Sequence, residues 1–131
     1  MNFIDASDVV RFPSTLGVEA GYGVKAVNHI KQDHVIGEYI GKIVKASDSD
    51  PQWSMINSRG PDFMIDASTS RRTCTVRFIN DAPPLLANCI GRELYADGRV
   101  FIVAKCPIAA ESELFYYYGP DYPRKWLKTD A

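Results

Sequence analysis

Short runs of β-branched and aromatic residues recur along most of the chain, separated by glycine, proline and polar residues. This spacing is typical of a mainly β domain with short strands. Asp97-Gly98 lies between two such runs and predicts a hairpin, because its turn needs positive φ angles. The runs predict strands at residues 9–12, 22–27, 35–44, 93–96, 99–104 and 113–118.

Helix signals are few. Asp50 and Pro51 form a helix-start signal, which predicts a short helix over 53–57 that ends before Gly60. A second short helix is predicted from 121 or 123 to 128. No repeat or linker interrupts the 131 residues, a length that suits one core, so we expect a single domain over 1–131.

Charge and composition exclude several classes of protein. The net charge of −1 leaves no basic excess to neutralise phosphates, so no direct nucleic-acid binding is predicted. The apolar runs are too short to cross a bilayer and the N-terminus lacks a signal-peptide pattern, which predicts an intracellular protein without a membrane partner. Three widely spaced cysteines predict buried free thiols and no metal site.

Two segments carry the strongest chemical signal. One runs from an apolar strand into Asn80 and a proline-broken loop; the other ends in Tyr116, Tyr117 and Tyr118 before a glycine. Strand alternation places Tyr116 and Tyr118 on one face and Tyr117 on the other. Two phenols beside a loop that reverses the chain predict an aromatic pocket with a polar rim.

A glycine pair upstream has two interpretations. Residues 21–26 fit the G-x-G-x-x-G/A pattern of dinucleotide-binding folds, but that pattern requires a helix to follow, and the sequence continues as a strand. Either Gly21 and Gly23 bend a strand, or the backbone between them approaches a ligand too closely for side chains.

Taken in order, four segments resemble the SET-domain family of protein lysine methyltransferases, and the resemblance covers about residues 9–126. In size the chain is similar to minimal, free-standing viral SET proteins, and it carries none of the zinc-binding flanks found in many other members. It implies a mainly β SET domain with several short curved sheets, a pseudoknot-like threaded C-terminal segment and few short helices. The segments are Gly21-Tyr22-Gly23-Val24, Tyr39-Ile40-Gly41, Arg77-Phe78-Ile79-Asn80 and Glu113-Leu114-Phe115-Tyr116-Tyr117-Tyr118-Gly119.

The resemblance also implies a function. The cofactor would be S-adenosylmethionine, and the substrate a lysine in a basic peptide such as a histone tail. The expected location is the nucleus for a histone substrate and the cytoplasm otherwise. Mainly mono-methylation is expected, because Tyr116 resembles the family's position that limits methyl number.

Site residues are implied position by position. Tyr118 and Tyr116 are the catalytic candidates, and Tyr116, Trp53 and Phe115 would line the substrate channel. Arg77 and Trp126 also suit structural roles. The cofactor-binding candidates are Gly21, Tyr22, Gly23, Arg77, Asn80, Asp81, Tyr118 and Trp126.

Four features depart from the family pattern. Asp81 replaces the usual His, and Tyr117 replaces the Asp that usually precedes the catalytic tyrosine. Trp53 stands where a tyrosine is usual, and the loop from Asn80 to Asn88 is longer than in the family. These departures keep open a second hypothesis, a SET-fold module that binds peptide or cofactor without efficient catalysis. A third hypothesis is a small β ligand-binding protein whose resemblance is accidental.

Overall fold

The β-rich pattern forms three small sheets in a computed structural model that describes residues 2–40, 42–45, 47, 54–56, 63–66, 75–95 and 98–118. Within these ranges the strands are β1 (Val9–Pro13), β2 (Tyr22–Ala26), β3 (Val35–Glu38), β4 (Lys42–Lys45), β5 (Ser54–Ile56), β6 (Phe63–Asp66), β7 (Asn80–Asp81), β8 (Cys89–Arg92), β9 (Phe101–Ala104) and β10 (Phe115–Tyr116). Short 3₁₀ turns lie at Ala6–Asp8, Val18–Ala20 and Thr75–Phe78. The mainly β fold class is confirmed.

The sheets have two, three and five strands. β1 and β2 form an antiparallel pair, β4, β6 and β5 form an antiparallel sheet in that order, and the largest sheet has the order β3-β9-β8-β10-β7. β10 lies between β7 and β8 and runs parallel to both. The C-terminal strand of the described region is thus inserted between two earlier strands, which agrees with the threaded arrangement that the resemblance implies.

One apolar core joins the three sheets. Val24 of β2, Ile65 of β6 and Ile102 of β9 are all buried in it, together with Leu114 and Tyr116. A smaller cluster of Val35, Phe101 and Val103 forms separately, with Leu94 packed against it. Burial of these side chains supplies most of the stabilisation, at roughly 25 cal/mol per Å² of apolar surface.

A strand prediction and a helix prediction changed in the structure. The apolar run at 35–44 divides between β3 of the five-stranded sheet and β4 of the three-stranded sheet. After β3, Tyr39 is buried and its N–H donates to the carbonyl of Val100 at 2.9 Å. The predicted helix over 53–57 is wrong where the structure describes it, since Ser54–Ile56 is a strand paired with β6. Pairing with a neighbouring strand overrides the weak local helix signal.

The strand predicted at 93–96 is wrong where the structure describes it. β8 and β9 pair antiparallel, but the last pair is Arg92 with Phe101, so residues 93–95 lie in the connection after β8 rather than in a strand. Gly98 does have the predicted positive φ, at 83°. The predicted helix near 121–128 lies outside the described residues. No helix within the described ranges is long and apolar enough to cross a membrane.

Candidate functional site

The two segments singled out in the sequence lie side by side. In the parallel pairing of β7 and β10, Asn80 faces Phe115 and Asp81 faces Tyr116. On the other edge of β10, Tyr116 pairs with Cys89 of β8. The Asn80 loop and the tyrosine segment therefore form adjacent walls of one site.

Tyr116 and Tyr118 lie on the same face of the segment, as predicted. Their ring centroids are 4.6 Å apart with the planes tilted by 42°. Tyr116 is buried and Tyr118 half-buried against the main core, whereas Tyr117 is 39% exposed. Because Leu114 also lies in that core, alternation puts Phe115 with Tyr117 on the other face, away from the tyrosine pair.

Tyr118 is held at both ends. Its hydroxyl donates to the carbonyl of Ile79, and its backbone N–H donates to Oδ1 of Asp81 at 2.7 Å. Asp81 is only 4% exposed. The Asp81 side chain thus fixes the backbone of Tyr118. Asp81 directly follows Asn80, which is predicted to bind the cofactor.

Asn80 joins this wall to the glycine pair. Its Nδ2 donates to the carbonyl of Tyr22 at 3.0 Å and, more weakly, to Oε2 of Glu113 at 3.4 Å. Gly21, Tyr22 and Gly23 continue into β2 rather than a helix, which agrees with the rejection of a dinucleotide-binding motif. The three predicted segments, the glycine pair, Asn80 and the tyrosines, are brought together.

The two glycines serve different needs. Gly21 has φ 67° and ψ −123°, a backbone conformation that residues other than glycine rarely adopt. Gly23 is required for space, because a Cβ there would lie 2.3 Å from Oε2 of Glu113 and 3.2 Å from Nδ2 of Asn80. At Gly23 the groups that approach closely are side chains of the protein itself, and the close approach of a ligand to this backbone stays a prediction.

Glu113 is a second buried acidic residue of the site, beside Asp81. It is 7% exposed, and Ser14 Oγ donates to its Oε2 at 2.8 Å. Thr15 donates twice to Oε1, from its backbone N–H at 2.8 Å and from its hydroxyl at 2.6 Å. Together with the Asn80 contact, these donors satisfy a carboxylate that would otherwise be costly to bury.

Asn88 anchors the backbone of the same segment. Its Nδ2 donates to the carbonyl of Glu113 at 2.9 Å, and its Oδ1 accepts from the N–H of Phe115 at 2.8 Å. A side-chain amide here makes the pair of bonds that a neighbouring strand would make. The lengthened loop thus still delivers an asparagine to β10.

A cation–aromatic cluster borders the glycine pair. The Arg11 guanidinium lies 4.4 Å from the ring centroid of Tyr22 and 5.1 Å from that of Phe78. Arg77 lies 4.8 Å from the Phe78 ring. Tyr22 and Phe78 themselves meet edge to face at 6.2 Å. These contacts give Arg77 the packing role foreseen as an alternative to cofactor binding.

Two predicted site residues, Trp53 and Trp126, lie outside the described residues. Cys89 is buried, and this burial, with a smaller contribution from nearby Cys106, raises the pKa of its thiol well above the ordinary value. Cys106 is partly buried, and Cys74 lies outside the described region. Within that region no group of three or more His, Cys, Asp or Glu side chains is placed to hold a metal ion.

The sequence patterns did not predict the residues that hold the site residues in place by hydrogen bonds. Glu113 and Asn88 contact the predicted site, and Ser14 and Thr15 hold Glu113 from almost a hundred positions away. One signal was available. Glu113 begins the apolar run predicted as a strand at 113–118, and an acidic residue that is buried in such a place is seldom without partners. The identity of those partners depends on long-range packing that local patterns do not encode.

Comparison with known proteins agrees with this geometry. A family model described as SET domain matches residues 21–119. The histone-lysine N-methyltransferase EZA1 of Arabidopsis thaliana is 28% identical over 120 residues, which are 83% of this chain but 14% of that protein. The chain therefore spans a small part of the length of this relative.

Solved structures share the fold. The methyltransferase domain of human PR domain-containing protein 2 is 26% identical with a TM-score of 0.67, and the match covers 88% of this chain and 80% of that one. KRYPTONITE, solved in complex with mCHH DNA, an H3(1-15) peptide and SAH, matches with a TM-score of 0.69 at 24% identity, over 89% of this chain and 25% of that one.

Proposed function

The chain belongs to the SET-domain family, and we propose that it transfers a methyl group from S-adenosylmethionine to a lysine side chain of a protein. One observation carries this proposal: Asn80, the Gly21–Gly23 backbone and the Tyr116–Tyr118 pair converge at the strand β10. A hypothesis of accidental resemblance cannot account for that convergence together with the family match.

The hydrogen-bonding groups of the site fit the cofactor. S-adenosylmethionine carries an ammonium group, which needs an acceptor, and a methyl group on a positively charged sulfur. Asn80 uses its NH₂ on the carbonyl of Tyr22, so its Oδ1 is the atom left to accept from an ammonium group. We propose that Asn80 and the backbone of Gly21, Tyr22 and Gly23 hold the amino-acid end.

The remaining cofactor candidates take lesser roles in this proposal. Asp81 acts by fixing the backbone of Tyr118, and Arg77 by packing on Phe78. Tyr118 borders the cofactor as well as the substrate. Trp126 stays a candidate to cover the adenine, and Trp53 a candidate channel residue.

The cofactor supplies an electrophilic methyl group that an uncharged amine attacks in line. The protein must therefore receive the lysine as a free amine and align it. An aromatic wall that excludes water, beside a positive charge, lowers the pKa of a lysine ammonium, because both disfavour a second cation. Tyr116 and Tyr118 provide that wall, with Tyr116 8% exposed.

The Tyr118 hydroxyl suits the task of orienting the amine. Its proton is donated to the carbonyl of Ile79, and a hydroxyl oxygen that donates can still accept through its lone pairs, so it can accept an N–H of the lysine amine. That bond would direct the nitrogen lone pair toward the methyl group. Fixed groups of this kind accelerate transfer by alignment and by electrostatic preorganisation, without covalent chemistry.

The finer assignments extend the same proposal. The substrate class is a lysine in a basic peptide such as a histone tail, supported by the histone-lysine activity named for EZA1 and the H3 peptide named for the KRYPTONITE complex. A histone substrate would put the protein in the nucleus, and another substrate in the cytoplasm. Direct binding to nucleic acid is not part of the proposal.

A binding module without efficient catalysis is the alternative. The observation that favours it is Asp81, a buried acid where the family places histidine, in direct contact with the backbone of Tyr118. Both hypotheses require cofactor or peptide binding, and they differ only in turnover.

Mass spectrometry separates the two. The protein is incubated with S-adenosylmethionine and histone-tail peptides, and lysines are inspected for the mass of added methyl groups. Increments that depend on the cofactor and on Tyr118 support the enzyme. Saturable cofactor binding, measured by calorimetry, without increments supports the binding module, and absence of both overturns the proposal.

A further inference from the structure

Glu113 has no part in the methyl transfer described above, yet its buried carboxylate accepts hydrogen bonds from Ser14, Thr15 and Asn80. We infer, on the basis of the proposed function, that Glu113 is a positioning residue for the cofactor: its carboxylate sets which side of the Asn80 amide faces the ligand. The contacts around it support each step of this inference.

Hydrogen bonds fix both the backbone and the carboxylate of Glu113. Its backbone forms an isolated antiparallel bridge with Lys25, and its carbonyl accepts from Asn88 Nδ2 at 2.9 Å. Its carboxylate accepts from Ser14 and twice from Thr15, at 2.6–2.8 Å. A group held this firmly can impose an orientation on a weaker partner.

The weaker partner is Asn80. A carboxylate only accepts hydrogen bonds, and so does the carbonyl of Tyr22, so both require the NH₂ side of the Asn80 amide. The opposite side, Oδ1, is then the one presented to a ligand. An ammonium group needs that acceptor and would be repelled by an NH₂ in its place.

The glycine pair supports this role. A Cβ at position 23 would lie 2.3 Å from Oε2 of Glu113 and 3.2 Å from Nδ2 of Asn80, so glycine keeps the contact between them open. The same carboxylate also reaches the loop at Ser14 and Thr15. Ser14 closes that loop, its N–H bonding to the carbonyl of Gly21 at 2.9 Å.

Calorimetric titration of the full chain with S-adenosylhomocysteine tests the inference without relying on turnover. The four proteins are the wild type, Glu113→Gln, Asn80→Ala and the double variant. Glutamine keeps the shape of the side chain but can donate, so it removes one of the two groups that require the NH₂ of Asn80 and leaves the Tyr22 carbonyl alone to hold the amide. We expect Glu113→Gln to weaken binding about tenfold in the wild type, the size of one lost orienting hydrogen bond, and hardly at all in Asn80→Ala.

One control separates positioning from stability. Val103→Ala removes volume from the smaller apolar cluster, so it lowers the melting temperature while leaving affinity unchanged. If Glu113→Gln does not fold, Ser14→Ala replaces it, since it removes a donor to the same oxygen that faces Asn80; a loss of about threefold is expected.

The outcomes are distinct. Wild-type affinity in Glu113→Gln, or an equal loss with and without Asn80, overturns the positioning role while leaving the proposed function intact. A wild-type protein that does not bind S-adenosylhomocysteine overturns the proposed function, and this inference with it. A loss that disappears in the Asn80→Ala background supports the inference.

Discussion

The two ends of the segment 113–118 solve different physical problems. At Glu113 a buried carboxylate gathers hydrogen bonds from Ser14, Thr15 and Asn80, and the backbone is tied to Asn88. A few residues later the segment is aromatic, with Tyr116 and Tyr118 in contact. The polar end orders the groups proposed to bind the cofactor, and the aromatic end is the part proposed to receive the lysine. In this proposal one short segment separates binding from chemistry, so substitutions at its two ends should have separable effects.

The largest effect is expected at the aromatic end. Tyr118→Phe removes the hydroxyl proposed to orient the amine while keeping the ring, and should lower methyl transfer by about 10²–10³. Affinity for S-adenosylhomocysteine, measured by calorimetry, should stay at the wild-type value. Tyr117→Phe removes a hydroxyl from the exposed face of the same segment and should keep full activity. Wild-type turnover by Tyr118→Phe would show that another group orients the lysine.

The polar end should respond in the opposite way. Asn80→Ala deletes the proposed acceptor of the cofactor's ammonium group, a hydrogen bond to a charged group worth about 1.5–3 kcal/mol. Cofactor-induced stabilisation in a thermal melt should therefore shrink, since it depends on affinity by mass action. Asn28→Ala, which removes an exposed asparagine bonded to Asp8, is the matched control. An undiminished shift in Asn80→Ala would remove Asn80 from the cofactor site.

Gly23→Ala tests how the polar end is packed. The added methyl would collide with the Glu113 carboxylate, so the free energy of unfolding should fall by about 1–3 kcal/mol, the usual cost of overpacking. Denaturant unfolding measures this loss. In a Glu113→Ala background the same substitution should cost much less, because the colliding group is gone. Equal costs in both backgrounds would mean that Gly23 is needed for another reason.

The smallest effect concerns product, at Tyr116. A phenol hydroxyl there fills the space that a methylated amine needs for a further transfer, so the wild type should yield mainly mono-methyl-lysine. Tyr116→Phe should move the product toward di- and tri-methyl-lysine, seen by mass spectrometry of the peptide, with cofactor affinity unchanged. Predominant trimethylation by the wild type would contradict this assignment and leave the family membership untouched.

The sequence predicted the parts of the fold that depend on neighbouring residues. Alternation placed Tyr116 and Tyr118 together, and the pattern near Val24 predicted β2 almost to its ends. It failed at Ser54–Ile56, where pairing with β6 decided the structure against a local helix signal. It also failed to split the run at 35–44, because Tyr39 is buried and bonded to Val100, a residue far away in the chain.

The candidate site divides in the same manner. Ordered motifs identified Asn80, the glycine pair and the tyrosines, since each keeps its residue type and order. The environment of Glu113 was out of reach, because Ser14 and Thr15 approach it from 99 and 98 positions away. Only the folded chain reveals that Gly23 makes room for that carboxylate.

The insertion of β10 between β7 and β8 has a consequence for the order of folding. Strands β7 and β8 precede their shared partner in the chain, and Asp81 contacts a residue 37 positions later. During synthesis the five-stranded sheet therefore stays divided until the segment 113–118 has left the ribosome. Closing such distant parallel pairs is slow, because chain entropy is lost before the contacts form. The walls proposed to bind the cofactor and the lysine form in that same late step, so a nascent chain gains its five-stranded sheet and its candidate site together.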